Sequence, residues 1–479
     1  MQSKTSFVCQ ECGYDSPKFL GKCPECGEWN TLREFKIQNS KVKIDSAFAS
    51  ISSEKEKSVK KLSEITYEDK NRMSTGFKEV DSVLGGGLVK GSATLLAGDP
   101  GIGKSTLLLQ IALKMSESKE TTDYGLRTTD RKTQKEIKKA VDGSLPTVVN
   151  RKVLYVSGEE SEEQIKMRAS RISSLTKNDN FYLISLNNTD KAFSTIDELR
   201  PELVIIDSIQ TMESENLSGL SGSVGQVRYA ALSFIKIAKT LGIPVILVGH
   251  VTKEGMVAGP MVLSHMVDTV LFFEGEKFTQ TRILRSLKNR FGPVDEVGIF
   301  AMQESGLSEI KDTEHLFMSS DNLKTPGSVL TVAMEGSRPF LVEIQALTVF
   351  SKFPMPRRVA SGIDAKRLEL LIAVLQKQGR LAIESMDIFV NIAGGFKLSD
   401  PASDLAVCLA IFSSYKNIVL SKTVAISEVG LLGELRSSAF YEKRVKEAQK
   451  LGFKKIFSNK THKTLVDIIS TLGGQNTAS

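Results

Sequence analysis

The sequence has no long hydrophobic run, and it is poor in cysteine, histidine and tryptophan. None of its segments approaches the roughly 18 consecutive apolar residues of a membrane span, and the opening residues MQSKT lack the apolar core of a secretion signal. We therefore expect a cytoplasmic protein that has no membrane partner. Five cysteines among 479 residues are too few for a disulfide scaffold, so metal binding or core packing is their expected use.

Charge of neither sign dominates the chain. The 63 Lys and Arg residues against 56 Asp and Glu residues leave a net charge of +7 at pH 7. This excess is compatible with a polyanionic partner but does not demonstrate one, because the clustering of charge matters more than its total. The length alone predicts about three domains.

The first motif present is a phosphate-binding loop, GDPGIGKS at residues 98–105, followed by Thr106. An apolar strand is predicted before it, at 93–97, and an amphipathic helix after it, at 105–115, which is the context that the motif requires. The loop N–H groups would surround the phosphates of ATP, Lys104 would reach the terminal phosphates, and Ser105 would bind Mg²⁺. The predicted nucleotide-binding residues of the loop are Gly98, Asp99, Pro100, Gly101, Ile102, Gly103, Lys104, Ser105 and Thr106.

Two further apolar strands end in acidic residues. Residues 153–157 precede Gly158, Glu159 and Glu160, and residues 203–206 precede Asp207. In a parallel sheet these strand ends reach the edge that carries the loop. We predict that Asp207 contributes to Mg²⁺ binding and that Glu159, with Glu160 as the alternative, orients or deprotonates the attacking water. A competing interpretation is that both glutamates only place negative charge in the first turn of the next helix.

The strand predicted at 245–248 ends near His250. This histidine would either sense the γ-phosphate or only be satisfied by its neighbours, and the sequence leaves both interpretations open. Strands alternate with helices throughout this region, which predicts a doubly wound parallel α/β sheet.

Four of the cysteines form two C-x-x-C pairs, Cys9 with Cys12 and Cys23 with Cys26, each followed by glycine. Four thiolates in this spacing predict a closed, structural Zn²⁺ site. A redox-active dithiol pair is the alternative. Cys408 lies in an apolar run and is expected to be a packing residue.

Residues 282–292, RILRSLKNRFG, place cations along a predicted strand and its end. At a subunit boundary such cations would stabilise phosphoryl charge in the neighbouring site, as an arginine finger does. A solvated basic hairpin is the alternative.

In this order, the four-cysteine finger, GDPGIGKST (98–106), YVSGEES (155–161) and KNRFG (288–292) resemble the bacterial RadA (Sms) family of RecA-related DNA repair proteins. The resemblance covers nearly the whole chain, and KNRFG is its most diagnostic part. It implies a RecA-like ATPase core, a homo-hexameric ring, and ATP-driven movement on single-stranded DNA that extends recombination intermediates by branch migration. Branched DNA is an implied substrate, and a RecA-type recombinase or a replicative helicase is an implied protein partner.

Carried over position by position, the resemblance assigns nucleotide and Mg²⁺ binding to Lys104, Ser105 and Asp207. It makes Glu159 the catalytic glutamate and Lys288 and Arg290 the basic pair that acts on a neighbouring subunit. The loops after Asp207 and His250 correspond to DNA-facing loops, so Arg228 and Lys253 are candidate phosphate contacts.

The C-terminal portion resembles the Lon protease domain. Residues 400–403, DPAS, resemble the region that holds the nucleophilic serine of Lon, but Glu442 stands where the lysine base is expected, and Lys443 is one position further on. A serine without a base is not activated. We therefore expect a scaffold domain without peptidase activity that offers cations to duplex DNA. The cations are Lys352, Arg357, Arg358, Lys366 and Arg367.

The predicted fold is thus α/β, with a RecA-like doubly wound sheet, an N-terminal zinc finger and a C-terminal α+β domain. The predicted boundaries are 1–36 for the zinc finger, 37–61 for a linker, 62–312 for the ATPase domain with an insertion at 117–151, and 313–479 for the Lon-like domain. The sequence leaves two alternative functions open. One is an ATP-dependent protease of the Lon type, and the other is a KaiC-like nucleotide-gated assembly protein that has no motor activity.

Overall fold

A computed structural model describes most of the chain. It covers residues 5–9, 15–16, 18–24, 27–36, 61, 72–117, 151–172, 179–217, 221–250, 263–275, 280–310, 325–393 and 398–474. These residues belong to two compact units, Met1–Glu309 and Ile310–Ser479. Nearly all of the predicted linker and insertion lies outside the described residues, as do Cys12, Cys26 and Lys253. The finer division into domains stays a prediction.

The N-terminal part of the first unit is a three-stranded antiparallel ribbon. Its strands are β1 (Thr5–Cys9), β2 (Asp15–Ser16) and β3 (Leu32–Lys36), in the order β2-β1-β3. Cys9 and Cys23 share a buried cluster with Leu32. The two cysteines thus form the interior of this small module.

The rest of the first unit is built on a nine-stranded sheet. Outside it, β4 (Arg72–Met73) pairs with β5 (Leu88–Val89). The sheet strands are β6 (Ala93–Gly98), β7 (Val153–Ser157), β8 (Phe181–Ser185), β9 (Leu203–Asp207), β10 (Val245–His250), β11 (Thr269–Glu274), β12 (Thr281–Asn289), β13 (Val297–Gln303) and β14 (Gly306–Glu309). The helices are α1 (Lys78–Leu84), α2 (Lys104–Ser116), α3 (Glu162–Ile172), α4 (Thr189–Leu199) and α5 (Val224–Leu241).

The centre of this sheet is parallel, in the order β11-β6-β10-β9-β7-β8. Strands β6, β7 and β9 are buried at every position, and such continuous apolar strands need cover on both faces. Helices α1, α2 and α3 contribute to one hydrophobic cluster and α4 and α5 to the other. The predicted doubly wound, RecA-like α/β core is therefore confirmed.

An antiparallel extension, β12-β13-β14, continues the sheet beyond β11. Its first strand, β12, overlaps the strand predicted within residues 282–292, whereas β13 and β14 were not predicted. Strand β12 buries Arg282, which is 7 % exposed, and exposes Leu287, which is 61 % exposed. The buried guanidinium donates from Nε to the Ile102 carbonyl, 3.1 Å away. One of the cations expected on a basic surface thus supports the phosphate-binding loop from inside.

The second unit is a mixed α+β structure, as predicted. Its six-stranded sheet has the order β17-β18-β16-β15-β19-β22. The sheet strands are β15 (Ser328–Glu335), β16 (Arg338–Phe350), β17 (Arg358–Ser361), β18 (Met386–Ile392), β19 (Thr423–Ile426) and β22 (Lys455–Ser458). Outside the sheet, β20 (Glu428–Val429) pairs with β21 (Leu435–Arg436). The helices are α6 (Ala365–Lys377), α7 (Asp404–Lys416), α8 (Tyr441–Lys450) and α9 (Leu465–Gly474). None of the helices described in either unit combines the length and the apolar character that a bilayer span requires.

Candidate active site

The phosphate-binding loop leaves the centre of the parallel sheet. Gly98, the last residue of β6, is in register with His250 of β10 and Phe273 of β11. Its φ is 154°, and a Cβ there would lie 2.2 Å from the Phe273 carbonyl oxygen, so only glycine permits this strand pairing. Helix α2 begins at Lys104. The strand, loop and helix thus follow one another as the motif requires.

The Lys104 side chain is buried beside the loop. Its Nζ donates to the carbonyls of Gly98, at 2.8 Å, and of Asp99, at 2.9 Å. Burial lowers the pKa of Lys104 to about 8, against the opposing charges of Asp207, Asp99 and Glu159. The ammonium group therefore lies in the field of the carboxylates that the sequence assigns to the same site.

Asp207 ends β9 and is 6 % exposed. The Tyr155 hydroxyl donates to its Oδ2 at 2.5 Å, and burial together with this carboxylate raises the pKa of Tyr155. Ser105 lies half-buried in the first turn of α2. Its hydroxyl and the Asp207 carboxylate are oxygen donors of the kind that Mg²⁺ prefers, so the residues present fit a magnesium site.

Glu159 lies just beyond the end of β7 and accepts a hydrogen bond from Ser208 Oγ, 2.6 Å from its Oε1. His250 Nε2 is 3.4 Å from the same oxygen, within ion-pair distance, although neither ring nitrogen makes a well-aligned hydrogen bond with any described residue. The contact with His250, and after it the Ser208 hydroxyl and the Lys104 charge, lowers the pKa of Glu159 to about 2 against the effect of burial. Glu159 is therefore held as a carboxylate.

Glu160 has a different environment from Glu159. Its carboxylate pairs with Arg168 of α3, and its main-chain N–H donates to Ser157 Oγ at 3.0 Å. The two adjacent glutamates are thus distinguished by their partners, and only Glu159 contacts the ends of β9 and β10.

The KNRFG segment lies at the other end of the parallel sheet. Arg290 NH1 is 3.3 Å from Asp268 Oδ1, and Asp268 Oδ2 accepts from the N–H of Ala93, the first residue of β6, at 3.0 Å. Lys288 Nζ donates to the carbonyls that precede β11, at 2.7 Å for Ser264 and 2.8 Å for Val267. Burial and the charge of Arg290 lower the pKa of Lys288. About five residues of β6, or about 17 Å, separate this end from the loop.

The predicted DNA contacts have diverse surroundings. Arg228 lies near the start of α5. Arg357 forms an ion pair with Asp387 at 3.0 Å, and the Arg358 guanidinium donates to the Met386 carbonyl. Arg367 binds the buried Asp404 and therefore links α6 to α7. Lys352 and Lys366 are exposed.

The serine that resembles the Lon nucleophile is committed to the fold. Ser403 is 2 % exposed, and its Oγ donates to the Asp400 carbonyl at 2.6 Å. The buried Arg444 binds the Asp400 carboxylate at 2.5 Å, while Glu442 and Lys443 are exposed. No base of the described chain hydrogen-bonds to the Ser403 hydroxyl. This geometry disfavours the peptidase alternative.

The described half of the cysteine set fits a metal ribbon. Cys9 and Cys23 are fully buried, although the N-terminal ribbon that holds both of them is small. After Cys23 the chain turns through Gly27, whose φ is 75° and whose N–H donates to the Cys23 carbonyl at 2.9 Å. Buried sulfur atoms beside such a turn are the donors that a zinc ribbon supplies. Cys408 is buried in α7, as expected of a packing residue.

Sequence reasoning did not identify three residues that shape these sites. Tyr155 contacts Asp207, Ser208 contacts Glu159, and Asp268 holds Arg290. Each had a weak signal: Tyr155 is a hydroxyl-bearing residue in a buried strand, Ser208 follows the strand-ending acid, and Asp268 interrupts an apolar segment. Their partners are distant in sequence, so only the fold identifies their roles.

Comparison with known proteins gives two domain matches and close full-length relatives. Residues 60–256 match the sequence model of an AAA domain, and residues 7–34 match that of a rubredoxin metal binding domain. DNA repair protein RadA of Bacillus subtilis is 44 % identical over 459 residues, which cover 95 % of this chain and 92 % of that protein. The protein of the same name from Listeria monocytogenes is 43 % identical over 459 residues, covering 96 % and 92 %.

Two solved structures are similar to about half of the chain. The RadB recombinase aligns with a TM-score of 0.35 and 22 % identity, covering 50 % of this chain and 99 % of its own. A KaiC-like protein from Pyrococcus horikoshii aligns with a TM-score of 0.35 and 16 % identity, covering 50 % and 98 %.

Proposed function

This chain belongs to the RadA family of DNA repair proteins, and from that premise we propose that it hydrolyses ATP to translocate on single-stranded DNA and to drive branch migration during recombinational repair. The observation that carries the proposal is the convergence of Lys104, Asp207 and Glu159 at one edge of the sheet. The negative charges of both acids act to raise the pKa of Lys104 against the effect of burial. These are the groups that a phosphoryl-transfer site needs for positioning and charge stabilisation.

Each group has a proposed part in ATP hydrolysis. The loop N–H groups and Lys104 bind the phosphates, and the oxygens of Ser105 and Asp207 hold Mg²⁺, which neutralises charge on the phosphates when bound. Glu159 orients the attacking water. Its pKa of about 2 makes it a weak base at neutral pH, so orientation of the water is a better-supported role than full proton abstraction.

Lys288 and Arg290 are proposed to serve the site of a neighbouring subunit. They lie at the end of the sheet opposite to the loop of their own chain, as the contacts of Asp268 with Ala93 and Arg290 indicate. Leu287 and Val294, exposed by 61 % and 53 %, lie near them in sequence. Exposed apolar side chains beside these cations are compatible with a face that meets another protein. This arrangement supports a homo-oligomer with sites shared between subunits, and we propose a hexameric ring.

DNA-dependent ATP turnover tests the proposed function directly. We expect single-stranded oligonucleotides to raise the turnover of the full-length protein and duplex DNA to raise it less, with branch migration of a three-strand intermediate requiring ATP. Lys104→Ala is the inactive control, because it removes the group that binds the terminal phosphates. Robust ATP turnover that ignores DNA would contradict the motor. Ring formation without strand displacement would favour the KaiC-like alternative.

The zinc proposal predicts a measurable change in metal content. Cys9→Ser removes a buried sulfur donor, so we expect zinc measured by elemental analysis to fall from a single ion per chain to well below it. Cys408→Ser is the matched control, since this cysteine lies in α7 of the second unit, and its zinc content should stay at the wild-type value. Unchanged zinc in the Cys9 variant would exclude this ligand set.

A further inference from the structure

We propose that Ser208 is a positioning residue for ATP hydrolysis, which fixes the Glu159 carboxylate so that one of its oxygens faces the attacking water. The inference rests on the role of Glu159 in the proposed function. It adds a residue to which neither the motifs nor the comparisons assign a part.

The contacts of Glu159 are asymmetric. Ser208 is completely buried, and its Oγ donates to Glu159 Oε1 at 2.6 Å. His250 Nε2 is 3.4 Å from the same oxygen. Among the described residues, no group hydrogen-bonds to Oε2. A carboxylate held by one oxygen cannot rotate freely, so its second oxygen presents a fixed acceptor, which is what orienting a water requires.

Ser208 can hold Glu159 because the ends of β7 and β9 are tightly joined. The Gly158 N–H donates to the Asp207 carbonyl at 2.8 Å, and the Thr211 hydroxyl donates to the Ser208 carbonyl at 2.8 Å. A Cβ at Gly158 would lie 2.0 Å from Thr211 Oγ1. Only glycine allows this approach, and the next residue, Glu159, accepts its hydrogen bond from Ser208 of the same turn.

The same turn, Ser208–Thr211, is bonded to neighbouring segments. Gln210 Nε2 donates to the His250 carbonyl at 3.1 Å, and Ser221 Oγ donates to the Thr211 carbonyl at 3.1 Å. The turn is therefore fixed to the end of β10 and to the segment that precedes α5. A serine on such an element is held more rigidly than one on an isolated loop, as a positioning group must be.

Steady-state kinetics of Ser208→Ala, with the full-length protein, ATP, Mg²⁺ and oligo-dT, tests this inference. We expect kcat to fall about 10- to 100-fold, the effect of losing one hydrogen bond to a charged group. The KM for ATP and the Mg²⁺ concentration for half-maximal rate should not change. Ser208→Thr, which keeps the hydroxyl, should recover much of the rate.

A double-mutant cycle keeps the test valid if the threonine is too large for this buried position. In a Glu159→Ala background, Ser208→Ala should cost no further rate in single-turnover measurements, because the group that Ser208 holds is absent. An equal loss in both backgrounds would overturn the inference, as would an unchanged kcat. A shifted Mg²⁺ dependence with normal kcat at high Mg²⁺ would also overturn it, since Ser208 would then act on Asp207.

Ser328→Ala is the matched control variant. The Ser328 hydroxyl donates to the buried Glu343 Oε1 at 2.8 Å in the second unit, so this change removes the same type of bond far from the chemistry in sequence. We expect a lower unfolding temperature and an unchanged kcat. The role of Ser208 is judged from the rate of ATP turnover, and the motor function is judged from its dependence on DNA. Wild-type turnover that DNA does not stimulate would therefore contradict the motor function alone, while the comparison of Ser208→Ala with wild type would still decide the role of Ser208.

Discussion

Replacing Glu159 by glutamine should lower the kcat for ATP hydrolysis by about 10²-fold or more, the cost of misplacing the attacking nucleophile. The amide keeps the size of the side chain and can still accept from Ser208, but it loses the negative charge that aligns water for attack. ATP binding, measured with a fluorescent nucleotide analogue, should stay near the wild-type affinity because Lys104 and the loop are intact.

Glu160→Gln is the control for this prediction, because it makes the same chemical change one residue further along. Glu160 pairs with Arg168 on α3, so we expect a modest loss of stability and nearly normal turnover. A large loss of kcat in the Glu160 variant together with normal turnover in the Glu159 variant would reverse the assignment. Normal turnover in both would support the interpretation that these glutamates only charge the start of α3.

The core of the fold could be predicted because its signals are local. Residues 153–157 and residues 203–207, the latter closed by Asp207, both form strands with the predicted bounds. Both are continuous apolar runs of the length that a buried parallel strand needs. The phosphate-binding loop could be placed for the same reason, since its glycines and lysine occur in one short segment. The strand ends therefore predicted the positions of Glu159 and Asp207 at one edge of the sheet, and the loop motif predicted the position of Lys104 at the same edge.

Contacts between distant segments could not be predicted in this way. Arg367 was expected to face duplex DNA, but it binds Asp404, which lies 37 positions away. The alternation of polar and apolar residues in β12 does not tell which face is buried, and the structure buries Arg282. The hydroxyl contacts of Tyr155 and Ser208 depend likewise on which strands become neighbours.

The position of the KNRFG segment (288–292) at the end of the sheet away from the loop also depends on strand order, and there Arg290 is available to a neighbouring subunit. Arg290→Ala should reduce DNA-coupled ATP turnover by about 10³- to 10⁵-fold, the range for an arginine finger, while sparing ATP binding. Lys288→Ala should also lower turnover, but Lys288 holds the carbonyls of Ser264 and Val267, so its unfolding temperature must be measured as well. Arg290, whose side chain is 56 % exposed, gives the cleaner test.

Lys239→Ala separates a catalytic effect of Arg290 from a structural one. Lys239 Nζ lies 2.5 Å from Asp268 Oδ2, so both cations pair with the same carboxylate. If Arg290 mattered only by neutralising Asp268, the Lys239 variant would show a comparable loss. We expect nearly normal turnover and branch migration from it. Equal losses in the two variants would contradict the role of Arg290 at the nucleotide.

Mixing two inactive variants tests whether Arg290 acts on a neighbouring subunit. Lys104→Ala chains keep the arginine but lack a working loop, whereas Arg290→Ala chains keep the loop but lack the arginine. In randomly mixed rings, about one quarter of the heterologous interfaces would join an intact loop to an intact Arg290. Turnover should therefore reappear on mixing, with mixed assembly verified by differential tags. Verified mixed rings without any recovery would mean that Arg290 does not complete a neighbour's site, because a residue acting between subunits must be supplied by whichever chain still carries it.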